Sequence, residues 1–194
     1  MSRKRRVWIH DQFYHIVCRG NRREPIFLDA DDFHAFCYML QKLHEEIFFE
    51  MASYCLMTNH YHLQMRSPEI PFSKLMALLN KRYARYFNTK YRFTGHVYEK
   101  RFFDKIVYDE GAMIDVSHYI HHNPVEANIV KRPEDYPWSS YHLIINPHSI
   151  TPTYMNTNIL LNYFEGTLEE KIESYKVTGT PRSLSNQPHA YLLD

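Results

Sequence analysis

The sequence predicts an α+β fold of the ferredoxin-like type: an antiparallel sheet in the order β-α-β-β-α-β, with helices on one face and an additional C-terminal helix. Three observations carry this. Short runs of β-forming residues end at turn residues, two stretches place apolar side chains at helical spacing, and the two kinds of segment follow one another in the order of a split βαβ unit.

Residues 12–19 (Gln-Phe-Tyr-His-Ile-Val-Cys-Arg) are rich in β-formers and stop at Gly20-Asn21, a strand and its turn. Asp29, Asp31 and Asp32 then suit a helix start, because carboxylates accept from free N–H groups and oppose the dipole. Phe33, Phe36, Cys37, Leu40, Leu43 and Ile47 give that helix one apolar face. Strands are expected over about 49–57 and 60–66, joined at Thr58-Asn59. Pro71 suits the first turn of a second helix, whose buried stripe is Phe72, Leu75, Met76, Leu79, Tyr83 and Tyr86 and which fades before Gly95. A fourth strand is expected over 101–108. Asp109 and Glu110 open a further helix that cannot run far past Pro124. We expect residues 1–145 to form one domain, with 1–7 as a basic arm, and 146–194 to be an appendage of weaker order holding one amphipathic stretch from about Ile159 to Tyr175.

Composition narrows the function. Of 194 residues 44% are hydrophobic and 23% charged, which excludes global disorder. No apolar run reaches the ~18–20 residues of a membrane span, and the opening Met-Ser-Arg-Lys-Arg-Arg lacks a secretory signal. Cys18, Cys37 and Cys55 lie far apart, with no C-x-x-C pair, so the expected location is the cytoplasm. The 5 glycines form neither nucleotide-binding loop, so no small-molecule cofactor is expected.

The net charge of +1 hides an asymmetry. Residues 1–105 hold 18 Lys and Arg against 11 Asp and Glu, and residues 106–194 hold 5 against 11. Polyanions respond to the local surface, not the total. One basic cluster is Arg3, Lys4, Arg5 and Arg6. The other runs from Lys81 to Lys105, interleaved with Tyr83, Tyr86, Phe87, Tyr91, Phe93, Tyr98, Phe102 and Phe103. Cations and rings together suit an unpaired strand, while the plainer reading puts the rings in the core.

The sharpest local feature is Asn59-His60-Tyr61-His62-Leu63-Gln64-Met65. Alternation along a strand puts His60, His62 and Gln64 on one face and Tyr61, Leu63 and Met65 on the other. Two imidazoles one strand repeat apart can share a divalent ion, although such pairs also occur as surface residues or in zinc sites. Farther on, Tyr119 and Asn123 stand one helical turn apart. Asn123 offers a hard amide oxygen. Tyr119 offers a phenol that is a weak nucleophile until a metal or base activates it, and with 16 tyrosines present any one is more often structural.

Five segments resemble the HUH-type single-tyrosine transposases, and most closely the REP-associated tyrosine transposases, which process palindromic repeats in bacterial genomes. They are Tyr14-His15-Ile16-Val17-Cys18-Arg19-Gly20-Asn21-Arg22, Cys55-Leu56-Met57-Thr58-Asn59-His60-Tyr61-His62-Leu63, Arg82-Tyr83-Ala84-Arg85-Tyr86-Phe87-Asn88, Gly95-His96-Val97-Tyr98-Glu99-Lys100-Arg101-Phe102 and Tyr119-Ile120-His121-His122-Asn123-Pro124-Val125-Glu126-Ala127. They keep the family's order over about residues 8–142. The resemblance implies that His60 and His62 bind Mg²⁺ or Mn²⁺ with Asn123, and that Tyr119, on a catalytic helix, attacks single-stranded DNA beside a hairpin to give a 5′-phosphotyrosine. It implies phosphate contacts from Arg82, Arg85, Lys100 and Arg101, from Arg19, Arg22 and Arg23 after the first strand, and from the arm Arg3–Arg6. The expected place of action is the nucleoid, with a monomer favoured over a dimer. Glu126 stands where the family usually has Arg, and His121 and His122 replace more typical residues, so either is a rival third ligand. Two other readings stay open: a non-catalytic single-stranded nucleic-acid-binding module of the same topology, and a hydrolase in which water attacks.

Overall fold

The computed structural model describes residues 8–179, so the Arg3–Arg6 arm lies outside the described residues. Its elements are β1 (Phe13–Arg19), α1 (Ala30–Glu46), β2 (Glu50–Met57), β3 (His60–Arg66), α2 (Phe72–Tyr91), β4 (Phe103–Val107) and α3 (Glu110–Glu126), followed by the short helices α4 (Tyr141–Ile145) and α5 (Asn158–Leu161) and by α6 (Leu168–Thr178). The strands form one antiparallel sheet in the order β2-β3-β1-β4, the expected ferredoxin-like topology.

Local chemistry sets the boundaries. Asp29 caps α1 in a reciprocal box with Asp32. Burial would push the Asp32 carboxyl up, but Lys90, the Leu28 N–H and the hydroxyls of Tyr91 and Tyr86 hold it below the usual carboxylate range, which ties the start of α1 to the end of α2. Pro71 stands at the N-cap of α2, one position before the first turn. β4 starts at Phe103, later than expected, because the Arg101 carbonyl accepts from Asn80 Nδ2 at 3.1 Å and from Cys18 Sγ at 3.5 Å. α3 passes Pro124 by two residues and stops.

Tyr14, Ile16, Cys18, Tyr61, Leu63 and Met65 line one face of the sheet and pack under α1 and α2. The other face is not left open. α3 lies across it, with Met113, Val116 and Ile120 against Ala52, Cys55, Met57 and Val107. Gln64 fastens the helix from below: its Oε1 accepts from Ser53 Oγ at 2.7 Å, and its Nε2 donates to the Met113 carbonyl at 2.9 Å.

The chain after α3 returns to the same side. Trp138 and Tyr154 lend carbonyls to Leu56 and Met51 along the outer edge of β2, covering an edge that would otherwise stay unpaired. α6 then packs on α3 through the fully buried Tyr175. In one tautomer of His121, Nδ1–H donates to the Tyr175 oxygen at 2.8 Å and Tyr175 O–H donates to Ser117 Oγ at 3.0 Å. The Ser140 hydroxyl then faces His121 Nε2 at 2.8 Å. Removing the Tyr175 hydroxyl strands two buried partners. In urea titrations Tyr175→Phe is expected to lower the unfolding free energy by about 1–2 kcal/mol, and Tyr175→Ala by about 3–5 kcal/mol. Unchanged midpoints would refute the brace.

Candidate active site

Alternation along β3 turns His60, His62 and Gln64 toward α3. β1 pairs with β3 so that His15 lies opposite Gln64, Val17 opposite His62 and Arg19 opposite His60. His62 Nδ1 and His15 Nε2 share a hydrogen bond of 2.8 Å, with the rings 5.1 Å apart and nearly parallel. The His60 ring stands edge-on to His62 at 4.9 Å, and its Nδ1 is held by Asn59 Oδ1 at 2.6 Å.

From the helix side, the Tyr119 ring meets His15 at 5.7 Å and His62 at 5.6 Å, edge-on to both. One turn on, Asn123 Nδ2 donates to the Tyr119 carbonyl at 2.7 Å, and its amide favours the protonated His60 ring and the ionised Tyr119 hydroxyl. Four of the residues expected to carry the chemistry, His60, His62, Tyr119 and Asn123, thus converge within one chain. His15 joins them. The first strand reads as a core strand, and no spacing within it marks His15; only its register against β3 reveals it.

Burial governs the protonation of this cluster. It lowers His15 to about 3, with Lys105 adding to the effect, and His60 to about 4, where Arg19 adds to the effect and Asn123 opposes it. His62 is driven well below its ordinary value by burial and by the neighbouring His15 and His60. All three imidazoles are therefore neutral at pH 7 and have lone pairs to give. Burial raises the Tyr119 phenol, and Glu126 raises it further, while Asn123 and Arg19 pull it down.

The residues fit a divalent ion. His62 Nε2 is buried and has no hydrogen-bond partner among the described residues. With its lone pair on Nε2, His62 carries its proton on Nδ1 and donates to His15, the usual way a ligating imidazole is oriented. Among the described residues no three His, Cys, Asp or Glu side chains form a ready-made cage, and beside the two imidazoles stands the Asn123 amide, whose oxygen is a hard donor. His121 and His122 are turned away from this face: His121 bonds Tyr175 and Ser140, and His122 Nδ1 bonds the His118 carbonyl at 2.9 Å.

The remaining basic residues are dispersed. Arg19 ends β1 beside the cluster. Arg22 and Arg23 occupy an exposed 3-10 turn with left-handed φ of 54° and 62°. Arg82 and Arg85 stand on α2, across the sheet from Tyr119, and Arg82 pairs with Glu46 at 2.5 Å. Lys100 and Arg101 rim a cavity of about 390 Å³ lined also by Met76, His96 and Phe102, and none of His15, His60 and His62 lines it. Of the rings interleaved with these cations, Tyr83, Phe87 and Phe102 are core, whereas Phe93 and Phe103 are exposed.

Fold and site together define a ferredoxin-like protein whose sheet presents paired histidines to a tyrosine on a crossing helix. The model of the family described as "Transposase IS200 like" matches residues 9–123, more than half of the chain, and the chain belongs to that family. A Haemophilus influenzae protein described as a candidate REP-associated tyrosine transposase is 30% identical over 106 residues, 48% of this chain; the match spans 60% of that relative's length. The solved structure of a REP-associated tyrosine transposase bound to a REP hairpin shares the fold, with a TM-score of 0.65 at 19% identity, over 81% of this chain and 93% of the other.

The neutral histidines carry a pH signature. Unfolded, they take up protons near pH 6.5; folded, they do not until far lower, so acid favours the unfolded chain. Stability is expected to be fully present above pH 6.5 and to fall toward pH 4, by up to about 1.4 kcal/mol per pH unit for each such group. His15→Gln, compared with wild type by urea titration at pH 7.5 and pH 5, should remove one proton's worth of that slope. An unchanged slope would refute the assignment.

Proposed function

We propose that this protein is a DNA-binding transposase that cuts and rejoins single-stranded DNA beside hairpins, through covalent attack by Tyr119. The observation that carries the reading is the meeting of the Tyr119 ring with the bonded His15–His62 pair at 5.7 and 5.6 Å, in a site otherwise made of neutral donors. His60, His62 and Asn123 would hold Mg²⁺ or Mn²⁺. Such an ion supplies charge stabilisation at a scissile phosphate and lowers the barrier to attack by an oxygen nucleophile.

The chain's own groups do the rest. Asn123 favours the ionised Tyr119 hydroxyl, and α3 fixes its line of approach. Arg19, beside His60, favours the phenolate and lies where it can meet a phosphate oxygen. In-line attack of the Tyr119 oxygen on phosphorus breaks the bond to the leaving 3′ oxygen and forms a 5′-phosphotyrosine. The phosphoester energy stays in that link, so a second strand's 3′-OH can reverse the step without a nucleotide cofactor. The hairpin in the solved relative supports a hairpin partner. A site complete within one chain supports a monomer. The proposed catalytic domain is 1–145, with residues 146–179 of the following segment as its brace, acting in the cytoplasm on nucleoid DNA. The arm Arg3–Arg6, with Arg22, Arg23, Arg82, Arg85, Lys100 and Arg101, is assigned to DNA backbone contacts. No helix among the described residues is long and apolar enough to cross a membrane.

A denaturing gel with an end-labelled hairpin bearing a single-stranded flank tests this. Wild type is expected to form a covalent protein–DNA adduct that requires Mg²⁺ or Mn²⁺. Tyr119→Phe should abolish the adduct, and His60→Ala should slow it by about 100-fold or more. Cleavage that persists in Tyr119→Phe would assign the attack to water, and binding without cleavage in wild type would assign the protein to the non-catalytic module. Glu126 opposes the phenolate, so Glu126→Gln is expected to lower the phenol pKa and speed adduct formation at pH 7 by about two- to fivefold. A slower rate would contradict that sign.

A further inference from the structure

β4 carries an aromatic ring that neither the core nor the chemistry uses. Phe103 is 42% exposed at the start of the strand. Its register partner is Val17, which in turn lies opposite His62, so Phe103, Val17 and His62 form one row across three strands. Antiparallel partners share a face, which puts Phe103 on the side occupied by His15, His62 and Tyr119. With strands about 4.8 Å apart, Phe103 stands about 10 Å along the row from His62. Cations flank it on the same face: Lys105 lies opposite His15 and Arg19 opposite His60. Phe93, the other exposed ring of the basic stretch, instead leans edge-on to Phe87 at 6.0 Å.

A lone exposed phenylalanine is ordinary on a protein surface. An exposed ring on the edge strand of the described sheet, in one row with His62 and set between two cations, has the chemistry of a base-stacking platform for an unpaired strand. We propose that Phe103 stacks the unpaired nucleobase adjacent to the scissile phosphate, while Arg19 and Lys105 hold the phosphates on either side. The ring thereby sets which phosphate faces Tyr119. This deepens the proposed function and rests on its assignment of the DNA path.

The test uses the full chain without added metal, and a hairpin whose single-stranded flank carries 2-aminopurine at one of the two positions bordering the cleavage site. Stacking on an aromatic ring quenches this base. Wild type is expected to quench one of the two positions. Phe103→Tyr should keep the quenching, whereas Phe103→Ala and Phe103→Leu should both lose it and weaken binding of the flanked hairpin about tenfold. Leucine separates stacking from simple burial, and the blunt hairpin without a flank should bind all four proteins alike. Quenching at neither position, or equal quenching by wild type and Phe103→Leu, would overturn the proposal. Because the readout needs no cleavage, failure of wild type to form an adduct would count against the reading of Tyr119 and leave this result to stand or fall alone.

Discussion

The pairing of β3 with β1 is the constraint on which the rest of the molecule depends. In the observed register Val17 faces His62 and Arg19 faces His60, so Tyr61, Leu63 and Met65 enter the core beneath α1 and α2. Slipping β3 by one residue would turn two imidazoles and an amide into that core and three large apolar side chains toward α3. The hydrophobic effect and the site therefore enforce the same alignment. That is why His60 and His62 sit on a central strand and not on a loop.

The same register brings in His15. A histidine with both ring nitrogens buried is costly unless it is bonded, and here one nitrogen is bonded to His62. The tyrosine is delivered from the opposite direction by a helix fixed on both sides. Gln64 grips Met113 from the sheet, and Tyr175 with His121 grips α3 from the tail. A side chain on a helix held in this way loses little orientational freedom when a ligand arrives, which is what the nucleophilic role proposed for Tyr119 requires.

Much of this was legible in the residues alone. The order of strands and helices followed from turn residues and apolar spacing, and Asp29 and Asp109 mark helix starts as capping chemistry requires. The alternation that put His60 and His62 together is a property of any strand, and the turn joining Tyr119 to Asn123 is a property of any helix. What sequence could not supply was contact across elements. His15 reads as one more strand residue until its partner is known. His121 and His122, adjacent to Asn123, looked equally able to reach an ion, yet a rotation of 100° per residue turns them to Tyr175 and to the helix's own backbone. The rings among the basic residues split between core and surface according to which of them the helix, the strand and the loop between them turn inward, and composition does not encode that.

Electrostatics gives the arrangement its direction. Burial keeps the imidazoles neutral and the phenol protonated, so the charges that act on these rings come from their neighbours Arg19, Lys105 and Glu126. A cation placed there would find lone pairs ready and would favour the tyrosine anion that burial and Glu126 oppose. Pulsed electron paramagnetic resonance of the Mn²⁺-loaded protein, prepared with ¹⁵N-labelled histidine, examines this most directly. The account requires hyperfine coupling to two imidazole nitrogens, reduced to one when His60 is replaced by alanine. A bound Mn²⁺ with no imidazole coupling would contradict it.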